Sequence, residues 1–354
     1  MNTKFVAVGS ALVLLAGCND SSDSAPTPEP TMGMFSLAVS DAPVDDAKKV
    51  VVAFDEVVLI PTGDTEASMG EPIVFNTSED GELRQIDLMQ YQGSNAETII
   101  SEREVVPGTY ALCMYVKNNY QGNDDSTSYV EQTDGAVTGL VVGNQGACYG
   151  YKPDNKQGPN KEQGTLVLAK NSQPIEIMTG YNSFVVEFDL RKGLTDPKGQ
   201  DHIKMQRNAI ELINASDSGH ISGEVDFTQY QACEADSAPW NAITDAPAVH
   251  AVYLYAGEMD RTTMGDMAAP EPFNDPVAVA NVRMQENQAD EVVYNYEFGF
   301  IGPGTYSLGY TCTAYNDDPE THQTSEDGFL IYQHYVPVDV VAGERTKFNI
   351  TPIL

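Results

Sequence analysis

The chain has 354 residues, and its 52 acidic residues against 19 lysines and arginines give a formal net charge of −33. Because no basic cluster is available to neutralise phosphates, this composition argues against nucleic-acid binding. The length is sufficient for two domains of ordinary size. The acidic surface is typical of a protein that stays soluble in a salty medium, with divalent-cation binding as the alternative interpretation.

The N-terminus predicts a lipoprotein signal peptide over residues 1–17. Lys4 precedes the apolar run VAVGSALVLLAG, which is too short to span a bilayer stably. The run ends in Leu-Ala-Gly-Cys, which resembles the lipobox of bacterial lipoproteins, and we therefore expect lipidation of Cys18. Asn19 resembles the residue that follows this cysteine in outer-membrane lipoproteins. The expected location is the outer membrane, facing either the periplasm or the cell surface.

Residues 18–32 predict a disordered tether, because they are rich in Ser, Pro and acidic residues and contain almost nothing to bury. From Gly33 onward, short alternating and β-branched segments are separated by turn residues, which is typical of β-sandwiches. The strongest helix candidate is the short segment SNAETIISER. The pattern predicts an all-β fold with two β-sandwich domains, residues 33–215 and 219–354.

The phrase PGTY occurs twice, at residues 107–110 and 303–306. Proline suits position i+1 of a type II turn, and glycine suits the positive φ at i+2. We expect each copy to be a tight turn that starts a strand, and the repetition favours two sandwiches of related plan. Side-chain alternation places Cys113 on the face opposite to the tyrosine of its copy, whereas Cys312 shares the face of its tyrosine.

Four cysteines remain besides Cys18, an even number that predicts disulfides in an extracytoplasmic compartment. Four cysteines allow three pairings. If the chain has two domains, the local pairing Cys113–Cys148 and Cys233–Cys312 is favoured. Each bridge would contribute roughly 3–4 kcal/mol on loop-closure arguments. The absence of C-x-x-C argues against thioredoxin-like redox chemistry.

Four blocks of the first half carry a resemblance to a known family. They are SLAVSDAPVDDAKKVVVAFDEVVLI, LRQIDLMQY, VVPGTYALCMYV and FVVEFDLRKGL, in that order. Residues 33–213 resemble the DUF4382 domain of bacterial envelope lipoproteins, a domain of unknown function. The second half, from GHISGEV to the C-terminal VDVVAGERTKFNITPIL, resembles a carboxypeptidase-regulatory or transthyretin-like sandwich. The resemblance implies a prealbumin-like or Ig-like fold and an envelope location, and it supplies no catalytic residue.

Catalytic motifs are missing from the sequence, which contains no H-E-x-x-H, no G-x-S-x-G and no glycine-rich phosphate loop. We therefore assign no catalytic residue. Acidic loops after the two PGTY strands offer the hard oxygen ligands that calcium prefers, with solvated loop tips as the alternative. The candidate calcium ligands are Asp124, Asp125, Asp317 and Asp318. The SDAPVDD segment with Asp41 is interpreted as a turn, with a calcium corner as the alternative.

Aromatic residues supply two further candidates. Val292, Tyr294, Tyr296, Phe298 and Phe300 alternate down one strand, which indicates a core face rather than an exposed stacking platform. Trp240 is predicted to lie in a loop, either as a plug over the end of the sandwich or as a ligand-binding anchor.

The sequence predicts a lipid-anchored envelope protein with a non-catalytic binding or structural role, acting through loops at the ends of the sandwiches. Its expected partners are the membrane, through the N-terminal lipid, and an unidentified protein or glycan. One alternative is a carbohydrate-active enzyme with two carboxyl groups about 5–10 Å apart in a cleft. Another is an accessory subunit of an envelope assembly, which would carry an exposed apolar patch.

Overall fold

β-Strands make up most of the chain after residue 32. A computed structural model describes residues 32–42, 47–62, 70–78, 81–122, 125–142, 148, 151, 163–168, 174–197, 199–206, 209–287 and 289–353. The predicted signal peptide, Cys18, the tether before Met32 and the calcium candidate Asp124 lie outside these residues. Within them, no helix is long and apolar enough to cross a membrane.

In the described residues before 215 there are fourteen strands and one short α-helix. The strands are β1 (Gly33–Ala42), β2 (Ala47–Pro61), β3 (Ile73–Asn76), β4 (Arg84–Asp87), β5 (Glu97–Val105), β6 (Gly108–Lys117), β7 (Tyr129–Gln132), β8 (Val137–Val142), β9 (Gln163–Leu168), β10 (Ile175–Ile177), β11 (Gly180–Asp189), β12 (Leu194–Thr195), β13 (His202–Met205) and β14 (Ile210–Asn214); helix α1 is Leu190–Gly193.

From residue 215 onward, the described part of the chain forms eight strands and one long α-helix. The strands are β15 (Gly219–Glu224), β16 (Ala251–Ala256), β17 (Ala278–Asn281), β18 (Arg283–Glu286), β19 (Val292–Ile301), β20 (Gly304–Thr311), β21 (Gln333–Val340) and β22 (Arg345–Lys347); helix α2 is Phe227–Thr244.

The first half is a sandwich of two sheets. Sheet A has the strand order β14-β11-β1-β5, and its central pair β1 and β11 is parallel. Sheet B has ten strands, with β6 and β2 near its centre. Alternate residues of both sheets, such as Leu37, Phe54, Leu112 and Phe188, meet in one apolar core. This packing follows from the period of two along a strand, which directs every second side chain inward.

The second half is a smaller sandwich. Sheet C has the order β18-β19-β15-β22, and sheet D has the order β17-β16-β20-β21. Ile221, Leu254, Phe298 and Tyr310 belong to the core between them. Among the described residues, no strand of one half pairs with a strand of the other. The all-β sandwich prediction is therefore confirmed, whereas the division into two domains stays a prediction.

Both disulfides occur in the predicted pairing. Cys113–Cys148 joins Cα atoms 6.2 Å apart, and Cys233–Cys312 joins Cα atoms 6.0 Å apart. Cys113 packs with Tyr115 in a small cluster on the outer face of sheet B, away from the main core. Cys312 lies within the core of the second sandwich. The prediction that the two cysteines occupy opposite faces of their strands is confirmed.

Two local predictions were wrong, and one helix was not predicted. SNAETIISER forms most of strand β5, because Ile99 and Ile100 are buried and the segment pairs with β1. The glycines of the two PGTY copies are absent from the described residues that have positive φ, so the turns are not type II. Helix α2 was not predicted, because its buried residues lack an apolar stripe: they are Gln229, Cys233, Ser237 and Asn241.

Candidate ligand-binding cleft between the two sandwiches

A cleft of about 570 Å³ lies where the two sandwiches meet. One wall comes from β11 and β14 of sheet A, and the other comes from the segment that leads into β17 and from the turn between β19 and β20. Among the described lining residues, Lys192 is the one basic side chain. The acidic lining residues are Glu187, Asp189, Glu211, Asp217 and Asp275. We call this region the seam cleft.

The period of two along β11 explains why acidic side chains reach the cleft. Phe184, Val186 and Phe188 point into the core, so Glu187 and Asp189 point out of the sandwich toward the second half. Glu211 on β14 is the direct register partner of Glu187. Opposed residues on antiparallel strands have Cβ atoms about 4.5–5.5 Å apart, so these two carboxyl groups are neighbours.

Burial shapes the electrostatics of this wall. Glu187 is partly buried and its Oε2 atom is shielded from solvent. Burial, reinforced by the charges of Asp189 and Glu211, raises the pKa of Glu187 to about 8. Burial also raises the pKa of Asp189, although its Oδ1 accepts the backbone N–H of Lys192 at 3.0 Å. Carboxyl groups with raised pKa values in a cleft are characteristic of functional sites.

Phe300 lines the cleft because β19 is irregular at that point. Tyr296 and Phe298 are buried in the core as the alternation predicts. The pairing of β19 with β15 then shifts register, and Phe300 has a φ of 51°, which is uncommon for a bulky residue. Bulges of this kind redirect side chains beside functional sites. The predicted core face therefore ends at Phe298, and Phe300 contacts the cleft instead.

A much smaller cavity, of about 10 Å³, adjoins the seam cleft and shares Glu187 with it. Asp41 and Glu297 also line this inner cavity. Asp41 is the second-last residue of strand β1 and is 1% exposed. Burial raises the pKa of Asp41 well above its usual value. The charge of Asp189 raises this pKa further, whereas a hydrogen bond from Gln92 lowers it.

Close backbone contact and a charge network join the two sandwiches beside the inner cavity. A Cβ atom on Gly299 would lie 2.0 Å from the carbonyl oxygen of Gly93, so this contact requires glycine. Arg345 forms an ion pair with Glu297 and donates to Ser94 Oγ at 2.7 Å. Ser94 Oγ in turn donates to Glu297 Oε1 at 2.7 Å. Glu297 therefore has partners from both halves of the chain.

The described calcium candidates have different surroundings. Asp317 is buried; its Oδ2 accepts the Tyr253 hydroxyl at 2.6 Å and its Oδ1 accepts the Met267 N–H at 3.2 Å. Asp125 and Asp318 are exposed. Calcium binding at these loops stays a prediction, and the described geometry gives Asp317 a structural role.

Trp240 lies in helix α2, and the prediction of a loop was therefore wrong. The helix begins because the Asp226 side chain accepts the N–H groups of Thr228 and Gln229 at 2.8 and 3.3 Å. Trp240 is partly buried. It lies outside the lining of the seam cleft.

One group of three potential metal ligands occurs in the described part of the chain. The ligating atoms of Cys233, His250 and Cys312 lie within 4.8 Å of one another. Because the two sulfur atoms form a disulfide, they offer no thiolate to a metal. Burial lowers the pKa of His250 to about 3, and its Nδ1 lies 2.6 Å from the Tyr310 hydroxyl. The group is therefore a neutral, structural cluster.

Sequence reasoning did not identify the residues of the seam cleft. Glu187 and Asp189 alternate with apolar residues in FVVEFDL, which is also the pattern of a strand with a solvated outer face. The sequence does not show that the second sandwich covers this face. The one available signal was that VEFDL belongs to a block that carries the family resemblance.

Residues 32–206 match the model of the family described as Domain of unknown function, DUF4382. This match confirms the expected resemblance of the first half. No curated protein matches the chain.

Two solved structures are similar over most of their length. A candidate cell adhesion protein from Bacteroides fragilis has 9% identity, 90% coverage of this chain, 92% coverage of that chain and a TM-score of 0.18. A candidate adhesin from Bacteroides ovatus has 10% identity, 97% and 100% coverage and a TM-score of 0.14. Both TM-scores are too low to support an argument about fold or function.

Proposed function

We propose that the protein is a non-catalytic binding module of the bacterial cell envelope, anchored in the outer membrane through lipidated Cys18. Its ligand is a positively charged, extended segment of another protein, which binds in the seam cleft. The observation that carries this proposal is the composition of the cleft: five acidic side chains and one lysine, beside one edge strand of each sandwich. The location rests on the lipobox and the tether in the sequence.

The strands beside the cleft support an extended ligand. In the described part of the chain, β14 is one edge strand of sheet A and β17 is one edge strand of sheet D. Edge strands present backbone N–H and C=O groups that an added peptide strand can pair with. Phe300 and the half-exposed Val277 supply apolar contacts beside the carboxylates. A segment that alternates basic and apolar residues fits both features.

Peptide titration tests this function. We expect a peptide of alternating Lys and Val, about eight residues long to match a strand, to bind the mature protein, with an affinity that falls as salt increases. A Glu-Val peptide of equal length should not bind. Glu211→Gln and Asp275→Asn should each weaken binding by up to about fivefold, as expected for partly exposed charge pairs.

The control for charge removal is Glu104→Gln, because Glu104 is exposed at the far end of sheet A, where it pairs with Met34. This variant should bind the Lys-Val peptide as the parent protein does. Equal binding of the two peptides, or equal loss in the control, would contradict the proposal. Lipid attachment is tested separately: Cys18→Ser should abolish incorporation of labelled palmitate, and labelling that persists would refute the anchor.

A hydrolytic function is the second candidate, favoured by Glu187. A carboxyl group with a pKa of about 8 is protonated at neutral pH and can act as a general acid, while the adjacent Glu211 can act as a nucleophile or base. A panel of chromogenic glycosides tests it. Turnover that disappears in both Glu187→Gln and Glu211→Gln would establish this function; no turnover by the parent protein would reject it.

A further inference from the structure

The inner cavity carries an inference that does not depend on peptide binding. Its walls come from both sandwiches: Asp41, Gly93 and Glu187 from the first, and residues 278–279, 297–299 and 301 from the second. Its volume of about 10 Å³ corresponds to roughly one water molecule or one ion. It lies at the contact that Gly299 makes with Gly93.

Two carboxylate oxygens at this cavity have no hydrogen-bond partner among the described residues. They are Asp41 Oδ1 and Glu187 Oε2, and both atoms are shielded from solvent. The other oxygen of Asp41 accepts a long hydrogen bond of 3.4 Å from Gln92 Nε2. A buried carboxylate oxygen without a partner costs free energy, so a structure that retains two of them at one cavity calls for a compensating group.

The nearby basic side chains are engaged elsewhere. Arg345 is paired with Glu297 and Ser94. Arg191 donates to the carbonyl oxygen of Ala314 at 3.3 Å and to Asn281 Oδ1 at 2.9 Å. Lys192 lines the seam cleft and does not line the inner cavity. In the described part of the chain, the cavity therefore has carboxyl groups in its lining and no basic residue.

We propose that the inner cavity binds one hard divalent cation through Asp41 and Glu187 of the first sandwich, at the place where the second sandwich contacts the first. Carboxylate oxygens are the ligands that calcium and magnesium prefer, and each carboxylate can supply one or both of its oxygens to the ion. The site differs from the acidic loops after the PGTY strands, because Asp125, Asp317 and Asp318 do not line this cavity.

Thermal unfolding of the metal-stripped mature protein tests the proposal. Calcium chloride, magnesium chloride and potassium chloride are added at matched ionic strength, which separates specific binding from screening of the net charge. An ion that binds the folded state alone raises the midpoint as its concentration rises. We expect a saturable increase of roughly 5 °C at a hundredfold excess over the Kd for calcium or magnesium, and none for potassium.

Variants assign the effect to the cavity. Asp41→Asn and Glu187→Gln keep the shape of the side chains and should each abolish the shift, whereas Asp318→Asn should retain it. Because a variant of a buried residue can fail to fold, calorimetric titration of the parent protein supplies a second measurement, with one site per chain as the expected result. No saturable shift and no stoichiometric binding, or a shift that survives in both cavity variants, would overturn the proposal.

Cation binding in the inner cavity and peptide binding in the seam cleft can be tested independently. Glu211 lines the seam cleft but not the inner cavity. Glu211→Gln should therefore retain the divalent-cation shift while it weakens binding of the Lys-Val peptide. Loss of the cation effect in this variant would contradict a separate inner site.

Discussion

The two PGTY strands, β6 and β20, begin alike and end differently. In each, the tyrosine hydroxyl donates to the carbonyl oxygen four residues earlier: Tyr110 to Val106 at 2.6 Å and Tyr306 to Gly302 at 2.8 Å. Each strand then carries a cysteine, but Cys113 lies on the outer face of its sheet and Cys312 lies in the core. The repeated PGTY sequence thus forms the same local hydrogen bond at the start of both strands. The position of the cysteine along each strand determines whether its disulfide lies outside or inside the core.

This difference gives the two disulfides different tasks. Cys113–Cys148 ties a loop to the outside of a sandwich whose core is otherwise complete. Cys233–Cys312 connects helix α2 to the core, although the buried residues of this helix are mostly polar. A helix without an apolar stripe obtains little stability from its own packing. The position of helix α2 therefore depends on the Cys233–Cys312 disulfide more than the structure of the first sandwich depends on Cys113–Cys148.

The largest expected effect is loss of the second bridge. Replacing both Cys233 and Cys312 by alanine should lower the free energy of unfolding by roughly 4–5 kcal/mol, from loop closure over a separation of 79 residues and from lost core packing. The matched change at Cys113 and Cys148, with a separation of 35 residues, should cost roughly 3–4 kcal/mol. Denaturant unfolding measures the free energy of unfolding of both variants. A larger loss on removal of Cys113–Cys148 than on removal of Cys233–Cys312 would contradict the comparison.

The next effect is acid sensitivity in the second sandwich. Burial lowers the pKa of His250 to about 3, against about 6.5 in an unfolded chain. The unfolded state therefore binds the proton more tightly, so this contribution is complete above about pH 6.5 and is lost as pH falls toward 3, by up to about 4 kcal/mol.

Other groups titrate in the same pH range as His250. Comparison of the parent protein with the variant His250→Gln therefore isolates the contribution of His250 to the pH dependence of stability. Burial raises the pKa of Asp317 to about 6, which acts in the opposite direction. The difference in unfolding free energy between the parent protein and the variant should shrink as pH falls from 7 to 4. A difference that is constant with pH would show that His250 has the same pKa in the folded and unfolded states, which would contradict the account.

The smallest effects concern the two tyrosine hydrogen bonds. Tyr110→Phe and Tyr306→Phe should each cost about 1 kcal/mol or less, which is typical of one hydrogen bond. Tyr110 is buried and Tyr306 is more exposed, so the first change should cost more. Thermal unfolding of both variants checks the order, and equal costs would show that burial does not distinguish the two turns.

Short-range patterns predicted much of the fold. Alternation placed Cys113 and Cys312 on the correct faces, because a strand has a fixed period of two. Helix α2 could not be predicted in this way, since its buried face depends on a bridge to a residue 79 positions away. The helix expected at residues 94–103 failed for a related reason: pairing with β1 overrides a local preference.

The seam cleft was beyond sequence reasoning for a different reason. Glu187 and Asp189 occupy the outer face of β11. They are shielded from water because the second sandwich packs against this face. Phe300 reaches the cleft through a bulge that simple alternation does not contain. The first feature depends on contact between the two halves of the chain, and the second depends on the pairing of β19 with the distant strand β15. No local window of residues records either contact.

Hydrogen exchange of the mature protein, with and without the Lys-Val peptide, tests the central claim most directly. If the peptide binds in the seam cleft as an added strand, amide exchange should slow in residues 210–214 and 278–281, and it should not change in β5. Bound peptide with unchanged exchange in both edge strands, or with protection confined to loops at the ends of the sandwiches, would contradict the proposed site.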